Sequence, residues 1–151
     1  MFAPWSESVA SDIIDRHRSR EGPLLPILHA LQAAFGCIPR PALPFVARAL
    51  NLTRAEVHGV VSFYHDFREE PAGRQVLKLC RAEACQSMGA EALARQILDH
   101  FGVDWGATTA DGRLTIEATY CLGLCACAPA ALLDGEPLGR LTPNLLQEFV
   151  P

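Results

Sequence analysis

The sequence predicts an α+β fold in which an N-terminal helical bundle, residues 1–72, precedes a small α/β domain, residues 73–151. Three observations carry this prediction. Apolar residues recur at helical spacing through the first part. Past Pro71-Ala72-Gly73 the pattern changes to short apolar or alternating runs that suit strands. The second part then runs in the order strand, helix, strand, strand, strand, helix.

The first helix is expected over residues 5–20, where Trp5, Val9, Ile13 and His17 recur every four positions. Glu21-Gly22-Pro23 ends it. A second helix follows from Leu24 to Phe35, with Ile27, Leu28, Leu31 and Ala34 on its apolar stripe and Gly36 as its stop. Cys37-Ile38-Pro39-Arg40-Pro41 reads as a loop, and residues 44–50 as a third helix. Thr53-Arg54-Ala55-Glu56 has capping-box form before a fourth helix that continues to Phe67. That helix is apolar on most faces, which suits burial or an interface.

In the second part Val76, Leu77 and Leu79 lead straight into Cys80 and read as a buried strand. Gly89 to Phe101 reads as a helix with Leu93 and Ile97 on one face. From Arg113 to Tyr120 the chain alternates, Leu114, Ile116, Ala118 and Tyr120 against Thr115, Glu117 and Thr119, as a half-buried strand does. Ala130 to Leu133 is a short strand, and Asp134-Gly135 a hairpin turn. Thr142-Pro143 opens a final helix. This element order suggests a domain of thioredoxin-like type.

Composition narrows the function. Half of the 151 residues are hydrophobic and 20% are charged, as in a folded domain. The formal charge of −4 leaves no basic surface for a phosphate backbone, so no nucleic-acid partner is expected. No apolar run approaches the ~20 residues that span a bilayer, so no direct membrane insertion is expected. The start, MFAPWSESVASD, lacks a basic segment followed by an apolar stretch. A cytoplasmic location is expected.

Without an export signal, cysteines point to metal or redox work rather than disulfides. Of the six, Cys80/Cys85 and Cys121/Cys125 form two local pairs, while Cys37 and Cys127 stand outside them. Cys80 ends one predicted strand and Cys121 directly follows another; Cys85 and Cys125 lie in the loops beyond. Were the two strands neighbours, four thiolates would meet at one rim. Backbone N–H groups stabilise the anionic sulfurs of an iron–sulfur core, and Ala82, Ala84, Gly123 and Ala126 let the backbone come close. Arg81 adds a nearby cation, and a helix starting near Gly89 would aim its positive end at the site. Spacing alone leaves structural zinc and simple buried or disulfide-paired cysteines as alternatives, although zinc usually takes closer pairs.

The spacing C-x4-C…C-x3-C, with YCLGLCACAPA over residues 120–130 and EVHGVVSFY over residues 56–64, resembles the thioredoxin-like [2Fe–2S] ferredoxin subunit family from about residue 20 onward. That family includes the small peripheral iron–sulfur subunit of respiratory complex I, the γ subunit of NAD-dependent formate dehydrogenase and a subunit of NAD-linked hydrogenases. The resemblance implies a [2Fe–2S] cluster on Cys80, Cys85, Cys121 and Cys125. It implies single-electron transfer with no catalytic residue on this chain. FMN and NAD belong to a flavin/NAD-binding iron–sulfur partner subunit, beside a larger catalytic subunit. The wording CACAPA over residues 125–130 favours the formate dehydrogenase subunit. The x3 spacing selects Cys125 over Cys127 as the fourth ligand, and Cys37 reads as a structural or free thiol.

Rival readings come from other classes. Residues 44–64 scan like a helix-turn-helix, as in an iron–sulfur regulator, yet the would-be recognition helix offers Arg54 and His58 among Val, Phe and Tyr, unlike a base-reading surface. A free-standing ferredoxin would carry a more acidic surface. The five histidines show no metal-ligand spacing, and Met88 and Trp105 read as core or loop packing.

Overall fold

In the computed structural model, which describes residues 3–144, the chain divides into two compact units, Met1–Pro71 and Ala72–Pro151. The first contains α1 (Glu7–His17), α2 (Leu24–Phe35), α3 (Ala42–Leu50) and α4 (Arg54–Phe63). Its core is built from residues such as Ile14, Ile27, Leu28, Leu31, Val46 and Val57. The expected stripe on α1 is displaced. Trp5 precedes the helix and Val9 is exposed, while Ala10, Ile13 and Ile14 are buried. A strict four-residue repeat drifts around a 3.6-residue helix, whereas a three–four alternation stays on one face. Trp5 still contributes, with its ring tilted against Phe35 and edge-on to Phe45.

Gly36 stops α2 in the left-handed conformation with φ of 78°, as a C-terminal glycine does. Ahead of α4 both halves of the capping box form. The Glu56 N–H donates to Thr53 Oγ1 at 3.2 Å, and the Thr53 N–H donates to Glu56 Oε2 at 2.7 Å. The helix ends at Phe63, short of the expected Phe67, because Tyr64 turns extended. Phe67 nevertheless returns to the core, with its ring 4.9 Å from that of His29. Only Val57 and Val61 of α4 are buried; Phe63 is 72% exposed.

The second unit holds β1 (Gln75–Cys80), α5 (Glu83–Ser87), α6 (Ala90–Phe101), β2 (Leu114–Thr119), a 3-10 turn at Cys125–Cys127, β3 (Ala131–Leu133) and β4 (Glu136–Leu138). The sheet order is β2-β1-β3-β4. Strands β1 and β2 run parallel, and β1–β3 and β3–β4 antiparallel. A parallel pair needs a long crossover, which α6 supplies. Leu77, Leu114, Ile116 and Ala131 of the sheet bury against Leu93, Ala94 and Ile97 of α6 in a second hydrophobic core.

The alternation expected of β2 does not hold: its first three residues are all buried, and Tyr120, expected on the inner face, lies past the strand and is exposed. Leu114 and Ile116 are buried, but so is Thr115, while Ala118 is exposed. Thr115 is accommodated because its hydroxyl accepts the Gly73 N–H at 2.7 Å and bonds the Thr108 hydroxyl at 2.7 Å. The helix expected to open at Thr142-Pro143 lies, beyond residue 144, outside the described residues.

Candidate metal centre

The β1–β2 register creates the site. Cys80 is aligned with Thr119, so Cys121 leaves β2 close to the point where Cys80 closes β1. Cys85 sits in α5, a helical turn that the spacing did not reveal; its five residues are too few for a periodic signal. Cys125 opens the 3-10 turn. Cys121 and Cys125 face each other with their sulfurs 3.9 Å apart. Cys80 and Cys85 lie buried together with Ala90, Ala128 and Ala130.

The second cysteine loop follows a tight path. Cys121 takes φ of 43° and Gly123 φ of 76°. For a residue with a Cβ the left-handed region costs about 1–2 kcal/mol, so the strain at Cys121 signals a geometry that its surroundings impose. Glycine at 123 meets the same demand without that cost.

Polar groups of the backbone converge on the buried sulfurs. Burial pushes the Cys80 thiol up. The N–H of Ala82, the Cys85 thiol and the N–H groups of Leu122 and Cys121 outweigh it and hold Cys80 below the usual thiol range. Two of those groups come from the other cysteine loop, so each loop shapes the electrostatics of the other. Burial and the Cys80 thiol raise Cys85, against the pull of the Ala130 N–H. Cys125 is raised by its bond to Cys121 and by the charge of Cys121, with a contribution from Cys80. At Cys85 and Cys125 the neighbouring sulfurs make it harder to carry negative charge, a repulsion that bound cations relieve.

Arg81 does not serve as the expected cation beside the sulfurs. Its guanidinium donates to Glu91 from Nε and Nη2, both at 2.9 Å, and lies 5.0 Å from the centre of the Trp105 ring. Trp105 is thus a packing residue, as expected, whereas Met88 is 61% exposed and is neither core nor loop packing. The helix expected from near Gly89, α6, opens at Ala90, which is buried in the same cluster as Cys80 and Cys85, while the short α5 precedes it. Cys37 is buried in the helical unit; burial first, then the charge of Glu70, raises its thiol.

The donor set suits a binuclear thiolate core. With metal–sulfur bonds of about 2.3 Å, two thiolates on one tetrahedral metal stand about 3.8 Å apart, close to the 3.9 Å between Cys121 and Cys125. Among the described residues no three His, Cys, Asp or Glu side chains gather around a single ion position.

A parallel–antiparallel sheet of thioredoxin type with paired cysteines at one rim defines a class of iron–sulfur electron carriers. The chain belongs to the thioredoxin-like [2Fe–2S] ferredoxin family, which residues 10–151 match, and its cofactor is a [2Fe–2S] cluster. It is 35% identical over 141 residues to a subunit of NADH-quinone oxidoreductase from Mycobacterium tuberculosis (strain ATCC 25618 / H37Rv), covering 93% of this chain and 56% of that one. It therefore spans little more than half of that relative. It is 34% identical over 131 residues to the HndA subunit of the NADP-reducing hydrogenase of Solidesulfovibrio fructosivorans, covering 87% of this chain and 77% of that one. Among solved structures, an NAD+-reducing [NiFe]-hydrogenase in the H2-reduced state matches 82% of this chain and 21% of its own, with a TM-score of 0.70 and 32% identity.

Proposed function

We propose that this chain is the electron-transfer subunit of an NAD-linked oxidoreductase of the complex I or hydrogenase kind, located in the cytoplasm. The observation that carries the reading is the parallel β1–β2 register, which brings Cys80/Cys85 and Cys121/Cys125 to one rim. In this reading Cys80, Cys85, Cys121 and Cys125 would hold the cluster through their thiolates. When bound, the core takes up and releases one electron at a time. The chain's own residues do the rest. The N–H groups of Ala82, Cys121, Leu122 and Ala130 aim at sulfur and favour the thiolates. Burial of Cys80 and Cys85 keeps water from one side, while exposed Cys121 and Cys125 leave the other side open to a redox partner. That partner is a flavin/NAD-binding iron–sulfur subunit, where FMN splits the two-electron chemistry of NAD into single steps, alongside a larger catalytic subunit.

The complex I and hydrogenase names of the relatives support this parentage. Formate dehydrogenase is the second reading, and it rests on the wording Cys125-Ala126-Cys127-Ala128-Pro129-Ala130. Metal analysis of the complex that co-purifies with this chain from its native host tests the assignment. Nickel identifies a hydrogenase, iron alone in a detergent-dependent complex identifies complex I, and molybdenum or tungsten identifies formate dehydrogenase. A chain purified without iron, or one that by itself oxidises NADH, contradicts the carrier reading.

A further inference from the structure

The segment that follows β4 lies tightly against the second cysteine turn. A Cβ built on Gly139 would stand 2.8 Å from the Cβ of Cys127 and 3.1 Å from its carbonyl oxygen. The first distance is shorter than packed carbons tolerate. A Cβ, unlike the tip of a long side chain, moves only if the backbone moves. The contact is hydrogen-bonded on both sides. The Arg140 N–H donates to the Cys127 carbonyl at 2.6 Å, and the Leu141 N–H donates to the Pro129 carbonyl at 3.0 Å. Arg140 takes φ of 53° to make the first of these bonds, a strained conformation for a residue with a Cβ. Leu141 is anchored in the second hydrophobic core. On its inner side the 3-10 turn closes on itself, with the Cys127 N–H donating to the Leu124 carbonyl at 2.8 Å.

We infer that residues 139–141 are a strap that fixes the Cys125–Cys127 turn, with Gly139 and Cys127 as a matched pair of positioning residues for the cluster ligand Cys125. This rests on the ligand assignment proposed above. Cys127 then matters for its Cβ and its carbonyl and not for its sulfur. Glycine at 139 is required by close approach, not by its own backbone angles.

The test uses the full-length, cluster-loaded protein and reads iron release to bathophenanthroline together with the EPR spectrum of the reduced cluster. Gly139→Ala should release iron about ten- to hundredfold faster, the usual effect of disturbing groups that support metal ligands, and should change the EPR g-values. Adding Cys127→Gly removes the opposing Cβ and should restore both readouts. Adding Cys127→Ala keeps that Cβ and should restore neither. If Gly139→Ala does not fold, the Cys127→Gly double variant must still fold and load. Parent-like iron release in Gly139→Ala, equal rescue by Cys127→Ala, or failure of the Cys127→Gly rescue would overturn the strap. Full loading of Cys125→Ala would instead overturn the ligand assignment.

Discussion

Cys80 stands in parallel register with Thr119, so the last residue of β1 and the residue two before Cys121 occupy the same level of the sheet. The backbone of Cys121 and Leu122 in turn helps hold the Cys80 thiol below its usual range. Each cysteine loop therefore completes the environment of the other. We predict that replacing any one of Cys80, Cys85, Cys121 or Cys125 with Ala abolishes the cluster, whereas Cys127→Ser retains it. Iron and acid-labile sulfide in each purified variant decide the matter, and a fully loaded Cys80→Ala protein would count against the assignment.

The rim depends on the sheet beneath it. Leu77 is fully buried in the second core, with Leu114 and Ile116. Leu77→Ala should cost about 2–5 kcal/mol by leaving a cavity. A denaturant midpoint indistinguishable from the parent's would contradict this placement of the core.

Thr115 is a buried polar residue that holds Gly73 at 2.7 Å. Thr115→Val keeps the shape but strands the Gly73 N–H, and should cost about 1–3 kcal/mol. Thermal unfolding followed by circular dichroism would measure the loss. Thr115→Ser, which restores the acceptor, should recover much of it.

The capping box of α4 gives a pH-dependent contribution. Thr53→Ala should destabilise the protein by about 1 kcal/mol. The backbone N–H and then the side chain of Thr53 hold the Glu56 carboxyl below the usual range. A lowered folded-state value means that the box contributes fully above the unfolded-state value and is lost as the pH falls through the folded-state value. Glu56→Gln should therefore flatten that part of the acid-unfolding curve. An unchanged curve would show that the carboxylate contributes nothing.

Much of this was legible in the sequence because the signals are local. The period change near Pro71, the Gly36 stop and the Thr53–Glu56 box each depend on a few neighbouring residues. The cysteine spacing likewise marked two loops. What was not legible is non-local or too short to be periodic. Nothing in the sequence near Arg81 indicates that Glu91 and Trp105 engage its charge. Nothing in the apolar pattern of α1 distinguishes Val9, which faces solvent, from Ala10, which is fully buried. The burial of Thr115 depends on Gly73 and Thr108, partners that no alternation rule anticipates.

The parallel pairing of β1 with β2 also sets an order of assembly. During synthesis Cys80 and Cys85 emerge first, and their counterparts follow only after the whole of α6. Non-local parallel pairing is slow to form, and until it forms there is half a cradle. The two halves of the rim thus meet only once this pairing, distant in sequence, has formed.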